Sequence, residues 1–582
     1  MSFRTRLLVY FRQRNRGWIL SLFAAACMVY LPFLGSPFVF DDLNFFSGTV
    51  PEIYAHSLFQ FELRWLPYAS LGWTAAIFSD VVPHFFHLGN VLLHAANVIL
   101  LFFLLRRLAG AVIADNENLS AVTGGAWFGA LFFAIHPVAV YAVGYVIQRS
   151  ILMATLFSLA TQLAYCRGLL TGQKRWLGLA VAAYFLAVFS KEHSVMALAL
   201  LAAQTILLRG GDGEAVGHPV AVQTPSSHRL ETDLPALCAP LRGLHTKIVA
   251  GKRELWSTWI ALLAIALLVV LRAKGVFGTP YEVMSAALFE QHGITESTPM
   301  LHILSVLTQA GLFFKYLLLW WLPNPAWMSV DMREPFVSSL AAWQGWLGAA
   351  GFVLYGLVAF RLLLRGRAAG LFGFALLYPW LQFVLEFSSI RVQEPFVLYR
   401  SYLWLPGMTL LFTLLLAKLS GRRMLFGLGF MALLLVPLSW NRLWVFADNY
   451  RLWNDAAQLL HSEQEPGADR IFYNRGQAEA AMHKWEDAIA DLKRTVALSP
   501  QLAPARYALG VAYVSSGHYQ EAIAQFDAEI ALKPDDAQAY YGKGLSLMGL
   551  HAGEQALQQM KRGCELGNEM ACAMAGWPQN KK

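Results

Sequence analysis

Eleven apolar runs of membrane-spanning length follow one another through the first 440 residues. They lie near 17–35, 84–105, 122–142, 150–166, 176–190, 194–208, 255–272, 343–361, 369–387, 402–419 and 424–440, with a further run at 303–322. A helix that crosses a bilayer needs about 20 such residues. One soluble core cannot hide this much apolar surface. The chain is 57% hydrophobic and 14% charged, against roughly 45–50% and 25% for a soluble domain. An ordinary soluble enzyme and a disordered protein are therefore excluded. A polytopic membrane protein with a soluble part remains. The 14% aromatic content, with 19 Trp, suits interfacial belts. The net charge of +8 is small for 582 residues, and the Lys and Arg residues cluster between apolar runs. They read as orientation signals, with no nucleic-acid surface. Five Cys are too few for a disulfide scaffold or a clustered zinc site.

The apolar runs stop near Trp440, and the tail is polar. This divides the chain into a membrane domain (1–440), a linker (441–468) and a soluble domain (469–582). The tail repeats with a period of 34: Tyr473, Tyr507 and Tyr541; Gly476, Gly510 and Gly544; Ala488, Ala522 and Ala556; Leu492, Phe526 and Met560. Pro500 and Pro534 close the first two units; the third lacks this Pro, as a capping unit would. Several columns in phase make the tetratricopeptide (TPR) pattern. Each unit buries its apolar face only by stacking on a neighbour. Such an array serves as a purely structural tail or as a surface that captures a partner protein. The expected fold class is all-α: a polytopic helical membrane domain followed by a TPR solenoid.

Charge orients the spans. Arg4, Arg6, Arg12, Arg14 and Arg16 assign the N-terminus to the cytoplasm, because cytoplasmic loops carry the excess of Lys and Arg. The later clusters are Arg106–Arg107, Arg167 to Arg175, the 210–254 loop, Arg361 to Arg367 and Arg422–Arg423. All fall on that side only if 303–322 does not fully cross. Its Lys315 and its end at Trp320, Trp321 and Pro323 suit a re-entrant or interfacial piece. The expectation is about eleven spans in the inner (plasma) membrane, with the TPR tail periplasmic. The first run has no clear small-x-small cleavage site before Pro37, unlike a cleaved signal peptide.

Charge at a membrane edge is costly and marks candidate sites. Asp41 and Asp42 directly follow the first run, flanked by Phe38, Phe40, Phe45 and Phe46. Adjacent carboxylates raise each other's pKa, and one can act as general base. They also read as solvated interface acids or a helix N-cap. His87, Asn90, His94 and Asn97 share one helix stripe, suiting interhelical hydrogen bonds or a metal. Arg64, Arg149, Lys191, Arg391 and Arg400 fall on the outer side, against the orientation tendency. Cations there can bind a lipid phosphate or pyrophosphate by charge-assisted hydrogen bonds. The alternative is local pairing with Glu192 and Glu394, which five cations outnumber.

These residues give the chain a resemblance. FVFDD (38–42), RWLP at 64 with HLGNVLLHAAN, AIHPVAVYAVGYVIQRS (134–150), SKEH (190–193), LTQAGLFFKYLLLWWLP (307–323), YRSYLWLP (399–406) and DNYRLWNDA before the repeats occur in order. Together with the C-terminal TPR, they resemble the transmembrane-and-TPR-containing GT-C glycosyltransferases. That group comprises the eukaryotic O-mannosyltransferases of this type and their bacterial relatives. Arg64-Trp65 stands where Arg-Pro is usual, and Lys191-Glu192-His193 where Lys-Glu-Gln is common. The 210–254 loop has no counterpart in the family. The resemblance implies a GT-C fold, an extracytoplasmic site, a polyprenyl-phosphate-linked sugar as donor, and inversion at the anomeric carbon. It implies Asp41 as general base, and Asp42 as the group that orients the acceptor or a metal. Arg149, Lys191 and Arg400 would hold the donor phosphate, with His193, Arg64, Arg391 and Tyr402 in support. The TPR array would capture the acceptor protein. No metal ligand is assigned, although some GT-C enzymes use a divalent metal and others do not.

The leading expectation is thus O-glycosylation of an extracytoplasmic protein, such as a pilin or another surface protein. The rivals are transfer to a lipid-linked glycan or envelope polymer, and a non-enzymatic TPR scaffold or transporter. A transporter usually shows internal symmetry, and none is visible in the membrane part. Cys564 and Cys572, eight residues apart, can bridge two antiparallel helices in an oxidising compartment.

Overall fold

The computed structural model describes residues 15–78, 81–113, 119–209, 248–280, 288–290, 293–294, 297–416 and 421–576. The arginines at 4–14 and most of the 210–254 loop lie outside the described residues. Every described element is a helix, as the all-α expectation requires. The chain divides into two compact units. One comprises Met1–Ser285, Gly293–Met328 and Pro335–Ala447; the other comprises Asp448–Lys582 with Ala286–His292 and Ser329–Glu334.

In the first unit, eight helices among the described residues are long and apolar enough to cross a membrane. The number is nine if the pair Ser120–Ala134 and Pro137–Val143, bent by 50°, counts as one span. About eleven were expected, without 303–322; the eight include Thr298–Trp321, and three of the expected runs fall short for local causes. The runs at 176–190 and 194–208 form helices of only 17 residues (Lys174–Ser190) and 13 residues (Ala197–Arg209). The run at 402–419 is broken into Leu398–Trp404, a 3-10 turn at Leu405–Thr409, and Leu410–Leu416. Pro406 lies in that turn, and Gly407 lets the backbone press on Tyr378 where a Cβ would clash. The 50° bend follows from His136-Pro137: proline pushes the preceding residue to extended geometry. The His136 ring then accepts the Val138 N–H at 3.2 Å.

The 303–322 run forms a regular helix of 24 residues, Thr298–Trp321, about 36 Å long at 1.5 Å per residue. It packs parallel to Trp343–Leu364. A Cβ on Gly345 would meet Leu307 at 3.1 Å, and one on Gly348 would meet Gly311 at 2.9 Å. Further along, Phe352 packs edge-on to Phe313 at 5.0 Å. The numbers rise together along both helices. The connection 322–342 therefore returns to the end from which Thr298–Trp321 sets out.

The second unit is a stack of helix pairs: Ala468–Ala481 with Trp485–Leu498, Ala503–Ser515 with Tyr519–Leu532, and Ala537–Gly549 with Gly553–Glu565. Asn449–Gln458 precedes the stack and Glu569–Ala575 ends it. The glycine column meets the apolar column. A Cβ on Gly476 would touch Leu492 at 3.0 Å, one on Gly510 would meet Phe526 at 2.7 Å, and one on Gly544 would meet Met560 at 2.8 Å. The 34-residue period is thus a packing period. Asn568 caps the last helix by accepting the Ala571 N–H at 2.8 Å, and a Cys564–Cys572 disulfide ties it to the preceding helix.

Candidate functional site

Asp41 and Asp42 open a short helix, Asp41–Phe46, just past the first span. Acidic residues suit a first helical turn, where the unpaired N–H groups and the dipole favour negative charge. The turn is strained: Phe40 has φ +55°, uncommon for a bulky residue. A helix rotates about 100° per residue, so the two neighbours face different surroundings. Asp41 is exposed, and its backbone N–H donates to the Tyr145 hydroxyl at 3.0 Å. Asp42 is fully buried. Its Oδ2 accepts the N–H groups of Val39 (3.3 Å) and Val146 (3.2 Å), and its Oδ1 accepts that of Ile147 (2.7 Å). Burial pushes its carboxyl up to about 7 against the pull of these three donors. Phe45, Leu71, Phe86 and Val146 pack as the core of this corner, with Phe38 and Phe46 against them. Asp42 is thus an anchor for the strained turn that presents Asp41.

A pair of tyrosines leads from Asp41 to Lys191. The Tyr145 ring lies 6.2 Å from that of Tyr399, and Lys191 Nζ stands 5.1 Å over Tyr399. Lys191 is 5% exposed and donates to Gln148 Oε1 at 3.3 Å. No carboxylate among the described residues lies within ion-pair distance of it. Burial, reinforced by the positive charge of Arg64, pulls its ammonium down to about 7.

The other outer-edge cations are paired. Arg64, held at φ +65°, makes a two-pronged bond to Glu192, with Nε to Oε2 at 3.0 Å and a second contact from Nη2 to Oε1. His193 lies between two carboxylates, with Nδ1 at 3.5 Å from Glu192 and Nε2 at 3.0 Å from Glu386. Glu386 also receives Arg400 Nη1 at 3.1 Å and faces Arg391 Nε at 3.5 Å. Glu394 meets Arg400 Nη2 at 3.7 Å. Around Glu192, Glu386 and Glu394, Arg64, Arg391 and Arg400 have acidic partners, and Lys191 has none among the described residues.

Two expected residues are elsewhere. Arg149 is ringed by protein acceptors: Asn90 Oδ1 at 3.0 Å, Ser70 O at 3.2 Å, Thr74 Oγ1 at 3.1 Å and Phe86 O at 2.9 Å. Gly89 makes room for it, since a Cβ there would lie 2.6 Å from Nη2. Arg149 thereby ties together the helices around the segment that grips Asp42. The Tyr402 hydroxyl is buried 2.7 Å from His94 Nδ1 and 3.2 Å from Asn97 Nδ2. It belongs to the polar stripe, whose His87, Asn90, His94 and Asn97 all bond to backbone carbonyls of other segments. No group of three His, Cys, Asp or Glu among the described residues is arranged to hold a metal. Asp42, the residue expected to orient one, directs both oxygens at backbone N–H groups. The described residues around Asp42 do not fit a metal site.

Sequence reading missed Glu386, the carboxylate on which three of these groups converge, and Tyr399. An acid in an otherwise apolar helix was the available signal for the first.

The tetratricopeptide repeat family matches residues 473–536 and 507–570. The tail is a tetratricopeptide array. Over 137 residues the chain is 29% identical to the human protein O-mannosyl-transferase TMTC4 (Homo sapiens), a stretch that is 22% of this chain and 18% of that protein. The mouse protein of the same name (Mus musculus) is 30% identical over 138 residues, 22% of this chain and 19% of its own length. The chain spans less than a fifth of these curated relatives. Among solved structures, YrrB, described as a TPR protein with an unusual peptide-binding site, shares 19% identity at a TM-score of 0.21. It covers 29% of this chain and 81% of its own. MamA shares 24% at 0.18, covering 26% and 81%.

Proposed function

We propose that this chain is a membrane glycosyltransferase that moves a sugar from a polyprenyl-phosphate-linked donor to a hydroxyl of an extracytoplasmic protein, which the TPR array binds. The observation that carries the reading is the pairing of an exposed Asp41, on a turn anchored by Asp42, with a buried Lys191 that lacks an acidic partner across the Tyr145–Tyr399 pair. Asp41 takes the proton of the acceptor hydroxyl. The hydroxyl oxygen bonds to the anomeric carbon from the face opposite the phosphate. The carbon–oxygen bond to the phosphate breaks, its electron pair leaves with the phosphate, and the anomeric configuration inverts. Lys191, with Arg400 near it and Arg391 on the same carboxylate as Arg400, meets the charge that develops on the leaving group, where fixed charges act most strongly. Arg64 and His193 hold the neighbouring Glu192 in place. Arg149 and Asp42 position the turn and touch no substrate. No step is routed through a metal.

The parallel packing of Thr298–Trp321 and Trp343–Leu364 supports the expected topology. Irregular backbone does not cross lipid, so a helix whose connection returns to its starting end leaves the chain on the same side. The disulfide between Cys564 and Cys572 supports an oxidising, extracytoplasmic compartment for the repeats. The shared stretch with protein O-mannosyl-transferases supports a sugar as the group transferred.

The test is intact-mass comparison of surface proteins from cells carrying the native chain, the Asp41→Asn chain, or neither. The native chain should add a sugar mass that the Asp41→Asn chain, inserted at equal level, does not. Normal glycosylation by Asp41→Asn would sink the assignment.

A further inference from the structure

Glu386 ends an apolar helix and is 1% exposed. Its nearest charged residue in sequence is Arg391, five residues on. Its carboxylate joins three separate segments: the turn after Ser190 through His193 Nε2 (3.0 Å), the strap 389–397 through Arg391 Nε (3.5 Å), and the helix Leu398–Trp404 through Arg400 Nη1 (3.1 Å). Two of these partners flank Lys191 and Tyr399 in sequence. His193 lies two residues beyond Lys191, and Arg400 directly follows Tyr399. A displacement of His193 or Arg400 therefore moves the ammonium or the ring beneath it.

We propose that Glu386 is the positioning residue of the donor-phosphate seat: one buried carboxylate fixes His193, Arg391 and Arg400 so that Lys191 is held over Tyr399 as the cation that meets the phosphate. This rests on the donor reading above. Glu386 touches no substrate and acts through its three partners.

The sign of one measurement separates positioning from simple electrostatics. A carboxylate close to an anion site repels the anion, so removing its charge strengthens anion binding if the charge is all that matters. If the residue positions the cations, removing it weakens binding although the site gains a positive charge. Lost orienting partners behind metal ligands typically cost about 10- to 100-fold, and a loss of that order is expected here.

The assay uses the full chain in lipid nanodiscs, with undecaprenyl phosphate as probe and undecaprenol as its uncharged control. The native chain should prefer the phosphate, and Glu386→Gln should bind it at least about tenfold more weakly. Glu386→Asp should recover part of the loss. Because Glu386→Gln leaves buried cations unpaired and can fail to fold, Glu386→Asp is the second variant: it keeps the charge and withdraws the carboxylate by one methylene. It should melt close to the native chain and still bind the phosphate more weakly than the native chain does. Native or tighter phosphate binding by either folded variant overturns the positioning role while leaving the donor reading intact. A native chain that does not distinguish the phosphate from the alcohol overturns both.

Discussion

Lys191 should weaken the folded protein and be retained for what it binds. Burial beside Arg64 lowers its ammonium from the ordinary lysine value of 10.5 to about 7. That fall corresponds to about 5 kcal/mol at 1.36 kcal/mol per pH unit, as an upper figure, because the buried ammonium keeps Gln148 and the Tyr399 ring as partners. The sign follows from the lowered value. Below pH 7 the lysine is charged in both folded and unfolded chains, and the folded chain carries the whole cost. As pH rises from about 7 towards 10.5, the folded chain has lost the proton that the unfolded chain keeps, and the cost disappears. Lys191→Met should therefore raise the thermal midpoint of the ligand-free chain at pH 6 and raise it little near pH 10. A bound phosphate reverses the balance by giving the ammonium an anionic partner. Undecaprenyl phosphate should then bind with constant affinity just below pH 7. It should weaken by about tenfold per pH unit above 7, since one proton is taken up on binding. Lys191→Arg, charged at every pH used, should flatten that dependence, and Lys191→Met should remove the phosphate preference. The groups that face Lys191 are Arg64, Glu192, Arg400 and Glu386, and the Arg variant leaves all four in place. A Lys191→Met chain less stable than the native at pH 6, or a native chain whose phosphate affinity is flat from pH 7 to 9, would refute the reasoning.

Three further outcomes are expected. Asp41→Asn should lower the thermal midpoint less than Asp42→Ala does, because the Asp41 side chain is exposed and that of Asp42 is buried. Asp42→Ala should lower it at pH 6, where the native carboxyl, held up to about 7, carries little charge; three backbone N–H groups lose their acceptor at roughly 1–3 kcal/mol each. Calorimetry of the two variants tests this, and equal midpoints would count against the anchor role. In the repeats, burial raises Glu529 to about 7, so the array should lose stability as pH climbs from 4.5 through 7. Glu529→Gln should blunt that loss by up to about 3 kcal/mol, read by hydrogen exchange across Tyr519–Leu532; an unchanged pH profile would refute it. Finally, maleimide labelling of the denatured chain should add three groups before reduction and five after, because two of the five cysteines are joined; five labels before reduction would refute the pairing.

The repeat tail was legible because its evidence is periodic. Gly510 and Phe526, sixteen residues apart in sequence, recur as columns, and those columns meet across one helix pair. The spans were legible from hydropathy, except where Pro406 and Gly407 break a run or a helix stays at 13 residues. The candidate site was legible only as a set of residue types at one membrane edge. Arg149 and Lys191 are both cations there, and nothing local separates them. One is ringed by carbonyl and amide oxygens, while the other's hydrogen bond goes to one amide and its ammonium stands over one ring. Those partners come from remote segments. Asp41 and Asp42 are the same side chain twice, and only the start of a helix at that point sends one outward and the other into three backbone donors. Glu386 shows the limit most clearly. Its partners stand 193, 14 and 5 residues away, at no shared spacing. A motif search finds residues that act together because they lie together in sequence. A carboxylate that holds cations from three segments has no such signature. The usable signal is its cost: an acid buried at an apolar helix end is expensive, so it implies cations brought to it by the fold.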